Sequence, residues 1–220
     1  MSLTLYYHPL ASYCHKVLIA LYEHGTYFER RIIDLGNEAE RAELAVFWPL
    51  VKFPVIRDHA RSRTVPETSI IIEYLDQHFA GEGRLVPIDA QAALEVRLWD
   101  RLFDNHVQGP MQEIVANSFR AVQRDMGRER GALATAYNMI DAHMAGRTWA
   151  GGDEFSMADC AAAPALFYAM TLVPFGPQCV QLHAYFERLM VRPSVRRVMD
   201  EAKPYFAMYP FADAIPARFR

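Results

Sequence analysis

Tyr7, Ser12, Cys14 and His15 crowd around one proline turn near the start of the chain, and each carries a group that can hold or give up a proton. The chemistry they suggest depends on a helix beginning beside them. The first turn of a helix leaves backbone N–H groups without intrahelical partners and carries about half a positive charge, so a thiolate or oxyanion is stabilised there. Thiols held at such places lose about one to several pKa units. Ser12 sits where its hydroxyl either caps the helix, accepting from the N–H of His15, or donates to a bound sulfur. Cys14 falls in an apolar stripe and reads as a packed thiol rather than a nucleophile. His15 is exposed or packed, and no Ser-His-Asp or Cys-His arrangement surrounds it.

The elements that position these residues follow from periodicity. Leu3, Leu5 and Tyr7 alternate with Thr4 and Tyr6, which predicts a strand. His8-Pro9-Leu10-Ala11 makes the turn, and Cys14, Val17, Leu18 and Leu21 then recur at helical spacing up to a stop at Gly25. A second strand is expected over Tyr27–Ile33 and a helix over Glu38–Phe47. A short strand over Lys52–Arg57 has proline near its start, where a cis peptide is plausible. Arg63-Thr64-Val65 returns antiparallel, and Pro66-Glu67-Thr68 opens a helix running to Phe79 with Ile71, Tyr74 and Leu75 on one face. The order β-α-β-α-β-β-α describes a small α/β layer with mixed strand direction.

Beyond a Gly- and Pro-containing connector the pattern becomes helical throughout. Ala90 to Val115 reads as one long helix with Leu94, Leu98 and Leu102 aligned, bent or interrupted at Gly109-Pro110. Helical stretches follow over Asn117 to Ala145, broken near Gly127 and Gly131, then Ser156 to Met170, Gln178 to Met190 and Ser194 to Ala202. Ser156-Met157-Ala158-Asp159 is a capping box with Phe155 and Cys160 in the staple positions, a structural device with no chemistry of its own.

Composition limits the functions available. The chain has 220 residues, 52% apolar and 22% charged, with a formal net charge of -3, so it offers no basic footprint for nucleic acid or an anionic membrane. No apolar run reaches the roughly 18 to 20 residues that span a bilayer, and no secretory leader pattern opens the chain, so a cytoplasmic protein is expected. Its three cysteines, Cys14, Cys160 and Cys179, and eight scattered histidines form neither a disulfide framework nor a metal site. Phosphate-binding and dinucleotide-binding glycine loops are absent.

The stretches Y-Y-H-P-L-A-S-Y-C-H-K-V-L-I-A-L, K-F-P-V, P-E-T-S-I-I-I-E-Y-L and F-S-M-A-D, in this order across essentially the whole chain, resemble a cytosolic glutathione S-transferase. The resemblance implies a thioredoxin-like glutathione-binding domain over residues 1–81, a linker over 82–89 and an all-helical domain over 90–220. It implies that Pro54 is cis, that the backbone of Phe53 pairs with the cysteinyl part of glutathione, that Glu67 and Thr68 hold the γ-glutamyl end, and that Lys52 lies near the glycine carboxylate. Serine-type and cysteine-type members place a hydroxyl or thiol two residues after the turn proline, where this chain has Ala11. Ser12 then ranks first as the sulfur's donor and Tyr7 second, as the position of the phenol in tyrosine-type members.

The implied activity is glutathione transfer: glutathione as cosubstrate, without metal or nucleotide, attacks a small hydrophobic electrophile in detoxification. The expected electrophile site lies between the domains, walled by Leu10, Tyr13, Phe103, Asn105 and His106, with Phe119 or Phe167 nearby. Members are homodimers, and Ile70 and Ile72, off the core stripe, suit a second buried face. A glutathione- or ligand-binding protein with little turnover, which Ala11 allows, stands as the alternative, together with glutathione-dependent peroxidase, isomerase or disulfide reductase chemistry.

Overall fold

The computed structural model describes residues 2–81 and 83–220. Glu82, the first residue of the expected connector, lies outside them. The chain divides into two units, Met1–Leu85 and Val86–Arg220.

The first unit runs β1 (Leu3–Tyr7), α1 (Ser12–Glu23), β2 (Glu29–Ile32), α2 (Glu38–Phe47), β3 (Val55–Asp58), β4 (Arg63–Pro66) and α3 (Thr68–His78). The four strands form one sheet in the order β2-β1-β3-β4, with β1 parallel to β2 and the other pairs antiparallel. This is the mixed layer expected from the element order. All five residues of β1 are buried, so its alternation separates two covered faces rather than an inner and an outer one. The second strand is shorter than expected: Tyr27 is 72% exposed and ahead of it, while Ile33 beyond its end still donates its N–H to the Tyr7 carbonyl at 2.9 Å.

The start of α1 corrects the sequence reading by one residue. Ala11 is the N-cap, and its carbonyl accepts the N–H groups of Cys14 and His15 at 2.9 and 3.1 Å. Ser12 therefore lies inside the first turn and does not cap it. The cause is the proline turn, which the Ala11 N–H closes one residue early by donating to the His8 carbonyl at 3.1 Å. The helix ends at Gly25, whose φ of 62° suits a residue without Cβ. On the inner face of α3, Ile71 and Leu75 are joined by Ile72, which is fully buried; only Ile70 of the expected outward pair stays exposed, at 54%.

A buried carboxylate ties this unit's hairpin to α3. Asp58 is fully buried and accepts from the Tyr74 hydroxyl at 2.8 Å and from the Arg61 N–H and guanidinium at 3.0 Å each. Burial alone would raise its pKa, but these donors outweigh it and hold the carboxyl below the usual range. A depressed folded-state pKa adds stability above the unfolded value, about 3.9, and that stability fades as pH falls through the folded value. Asp58→Asn should therefore lower stability by about 1–3 kcal/mol at pH 7, with the gap narrowing below about pH 4. Urea melts of both proteins across pH would show this, and a gap that widens in acid would contradict it.

The second unit contains α4 (Ala90–Leu102), a wide π turn (Phe103–Gln108), α5 (Gly109–Ser118), α6 (Gly127–His143), α7 (Met157–Leu172), α8 (Val180–Val191) and α9 (Pro193–Ala202), followed by short 3-10 turns. Among its described residues the only β pairing is the isolated Trp149–Gly152 bridge. Helical backbone passes through Gly109-Pro110, and the irregularity falls before it, in the π turn. Leu94 and Leu98 are more than half exposed, while Ala93, Val96, Trp99 and Phe103 face inward. Of the aligned leucines, Leu94 and Leu98 thus lie on an outer face, while Leu102 is buried. The Ala-rich α7 is buried along nearly its whole length and packs against α4 and the π turn. Ser156 and Asp159 form a capping box at its start.

Candidate functional site

Sheet register gathers the candidate residues of the first unit at one end of the layer. Tyr6 of β1 pairs with Val55 of β3, and Val55 pairs with Pro66 of β4. One step beyond that rung stand Tyr7, Pro54 and Glu67, each at the point where its strand leaves or joins the sheet. From the same end the chain enters α1 through His8–Ala11 and α3 through Glu67. Two helix amino ends, with their partial positive charge, open beside a proline-containing turn.

The turn before α1 is held by two imidazoles. The Leu10 N–H donates to His8 Nδ1 at 3.2 Å, and His15 Nε2 lies 2.5 Å from the Pro9 carbonyl oxygen. His15 is thus packed, at 0% exposure, and serves the turn. The His8 ring stacks on Phe53 with centroids 6.3 Å apart, joining this turn to the segment before β3. Burial lowers the His8 pKa, and the charge of Asp34 only partly offsets this, so the ring is neutral at pH 7. Ser12 is 6% exposed and the Tyr7 side chain 2%. Cys14 is fully buried, and burial pushes its thiol well above the usual range despite a backbone hydrogen bond from His8. A thiol so disposed is a poor nucleophile.

The Phe53–Pro54 bond is cis, with Pro54 buried, Phe53 half-buried and Lys52 exposed. Glu67 is the N-cap of α3 with φ 67° and ψ 117°, its side chain exposed, and Thr68 is buried directly behind it. An exposed carboxylate, a hydroxyl and helix N–H groups converge there, a combination that can hold an ammonium and a carboxylate of one ligand.

Residues expected to wall an electrophile site separate into two kinds. Leu10 and Tyr13 are half-buried beside the turn of the first unit. In the second unit Asn105 and His106 are exposed on the π turn, and Phe119 is 70% exposed after α5. Phe103 and Phe167 are fully buried, Phe103 against Trp99 and Tyr185, Phe167 against Tyr168, Phe206 and Phe219. These two rings are core and cannot line an open site, which corrects the expectation. Helical spacing of aromatics marked a buried face in both cases.

One polar residue of the first unit escaped the sequence reading. Lys16 is 1% exposed and donates to the Ser69 hydroxyl oxygen at 3.0 Å. The available signal was a single charge inside the otherwise apolar run Val17–Leu21 and Cys14, where a lysine has no outward face to occupy. Among the described residues no group of His, Cys, Asp or Glu could hold a metal ion.

Comparison with known proteins agrees with this layout. Residues 5–83 match the glutathione S-transferase N-terminal domain and residues 112–193 the glutathione S-transferase C-terminal domain. A glutathione S-transferase-like protein of a Fusarium species is 30% identical over 70% of this chain and 71% of its own. The chain belongs to the glutathione S-transferase family. Other members differ in what their names record. A stringent starvation protein A homolog from Coxiella burnetii is 26% identical over 91% of this chain and 93% of its own. The solved glutathione S-transferase of Methylobacterium radiotolerans, in complex with glutathione sulfonate, superposes with a TM-score of 0.77 at 25% identity, covering 90% of this chain and 94% of that one. The family explains the two-unit division, a thioredoxin-like sheet layer followed by a helical unit.

Proposed function

We propose that this glutathione S-transferase family member binds glutathione at the end of its sheet and activates the sulfur for attack on small hydrophobic electrophiles. The observation that carries the reading is the rung Tyr6–Val55–Pro66, beyond which the cis proline, Glu67 and two helix amino ends stand together. In this reading the Phe53 backbone pairs with the cysteinyl part of the tripeptide. Glu67 takes the ammonium of the γ-glutamyl group, Thr68 and the α3 amino end take its carboxylate, and Lys52 meets the glycine carboxylate.

The sulfur then rests against the first turn of α1. There the helix end and the Ser12 hydroxyl favour the thiolate, with Tyr7 as the second candidate donor. The thiol proton leaves to solvent, the thiolate forms a bond to the electrophilic carbon, and the leaving group departs with its electron pair. Leu10 and Tyr13, half-buried beside the turn, are the apolar groups available to the electrophile from this unit. The protein acts in the cytoplasm as a homodimer, for which the exposed Ile70, Leu94 and Leu98 supply apolar surface.

A second reading, a glutathione-binding protein with little turnover, is favoured by Ala11 at the position where other members carry a hydroxyl or thiol. One experiment separates the two. The protein is retained on immobilised glutathione, then assayed with an aromatic halide and a hydroperoxide, alongside Ser12→Ala and Tyr7→Phe. Transferase function predicts that Ser12→Ala lowers kcat/KM by about ten- to a hundredfold with retention unchanged. Retention with background rates in every assay assigns the second reading, and no retention rejects both.

A further inference from the structure

We infer that Val51 is a positioning residue for the cysteinyl part of glutathione, its side chain pinning the loop before Pro54 to the core so that the Phe53 peptide groups stand ready to pair. The inference rests on the glutathione reading and goes beyond it, since Val51 touches no ligand group in that reading.

Three described residues other than glycine adopt a left-handed φ: Val51 at 51°, Ser62 at 53° and Glu67 at 67°. Ser62 lies in the turn between β3 and β4, where such a conformation is common. Val51 and Glu67 instead lie on the two segments that meet at the Pro54 end of the sheet. Valine is ill suited to this region, because its branched side chain crowds the adjoining backbone, whereas glycine occupies it freely. An outlier of this kind persists only where its surroundings hold it. Two contacts do so. The Val51 N–H donates to the Trp48 carbonyl at 2.9 Å and closes the turn after α2. The half-buried side chain packs, with Trp48 and Phe53, against the core cluster of Tyr6, Ile33, Leu44 and Val55. Glycine could make the same backbone hydrogen bond, so what valine adds is the anchor. That anchor stands two residues ahead of Phe53, whose ring also stacks on His8 of the turn before α1. Lys52 and Phe53 are thus fixed between the Val51 anchor and the buried Pro54. A loop ordered before its ligand arrives has less freedom to lose on binding, which strengthens the contacts its backbone makes.

The test is calorimetric affinity for two ligands on wild type, Val51→Gly, Val51→Ala and Val51→Ile. One ligand is glutathione, and the other is its ester analogue, in which an oxygen replaces the cysteinyl N–H that donates to the Phe53 carbonyl in this reading. Val51→Gly should weaken glutathione about tenfold and the ester less than about threefold, because the ester already lacks one of the contacts that loop order secures. Val51→Ala also lacks the anchor and should show the same selectivity at about fivefold, which carries the test alone where Val51→Gly does not fold. Val51→Ile keeps the branched anchor and should stay within about twofold of wild type. Unchanged glutathione affinity in the glycine and alanine variants, or equal losses for both ligands, would make Val51 a packing residue and overturn the inference. Absence of heat with glutathione and wild type would overturn the proposed function, and this inference with it.

Discussion

Glu67→Gly is expected to melt higher than the parent protein and to lose glutathione. Glu67 holds φ 67° with ψ 117°, a combination that side-chain-bearing residues avoid at a cost of about 1–3 kcal/mol. Glycine adopts it freely, at the expense of about 0.4–1 kcal/mol of extra freedom in the unfolded chain. The difference favours the glycine variant by about 1 kcal/mol, which in a chain of this size raises Tm by about 2–4 °C. Glu67→Ala keeps the strained backbone and should melt with the parent. Both variants lose the carboxylate that meets the ligand's ammonium, and removing one member of such a pair costs about 2–5 kcal/mol, a fall in affinity of about thirty- to four-thousandfold. Thermal melts and calorimetry on the two variants separate the contributions. Identical melting of glycine and alanine variants would show that no strain is stored, and unchanged affinity would remove Glu67 from the site.

Asp159→Ala should be the most damaging single substitution in the helical unit. The carboxylate is fully buried and takes four donors: the Ser156 N–H and hydroxyl on one oxygen at 2.9 Å each, the Ala150 N–H at 2.9 Å and the Tyr185 hydroxyl at 2.6 Å on the other. Burial pushes its pKa up while the four donors pull it down, and burial prevails. Truncation strands all four donors inside the protein, at about 3–5 kcal/mol, or a fall in Tm of about 10 °C. Tyr185→Phe removes one donor and should cost about 1–2 kcal/mol. Because the residues share one network, the double variant should lose less than the two singles together. A Tm for Asp159→Ala within about 1 °C of the parent would show that the network is not what anchors α7.

These residues differ in how visible they are before the fold is known. Pro54, Glu67 and the capping box at Ser156 are legible because each acts through its own backbone neighbourhood, which short sequence spacing encodes. That they meet at one end of the sheet depends on the register Tyr6–Val55–Pro66, a relation among residues far apart in sequence. Ser12 was displaced by one position because the turn hydrogen bond from Ala11 to the His8 carbonyl starts the helix early. Phe103 and Phe167 lie in the core rather than beside an open site for a single reason. Periodicity shows that a helix has an apolar stripe but not which stripe turns inward, and the π turn changes the phase between α4 and α5. The burial of Lys16 against Ser69 joins residues 53 positions apart and shows only in the fold.

The two outer strands of the sheet are β2 and β4, each four residues long. Arg30 stands exposed on the first, Arg31 there is tied to Glu43 at 2.6 Å, and the second carries exposed Arg63 and ends in Pro66. A strand from another copy laid along either flank would find too little length, guanidinium groups to desolvate and a missing amide donor. Native protein therefore resists templated fibril growth through its sheet.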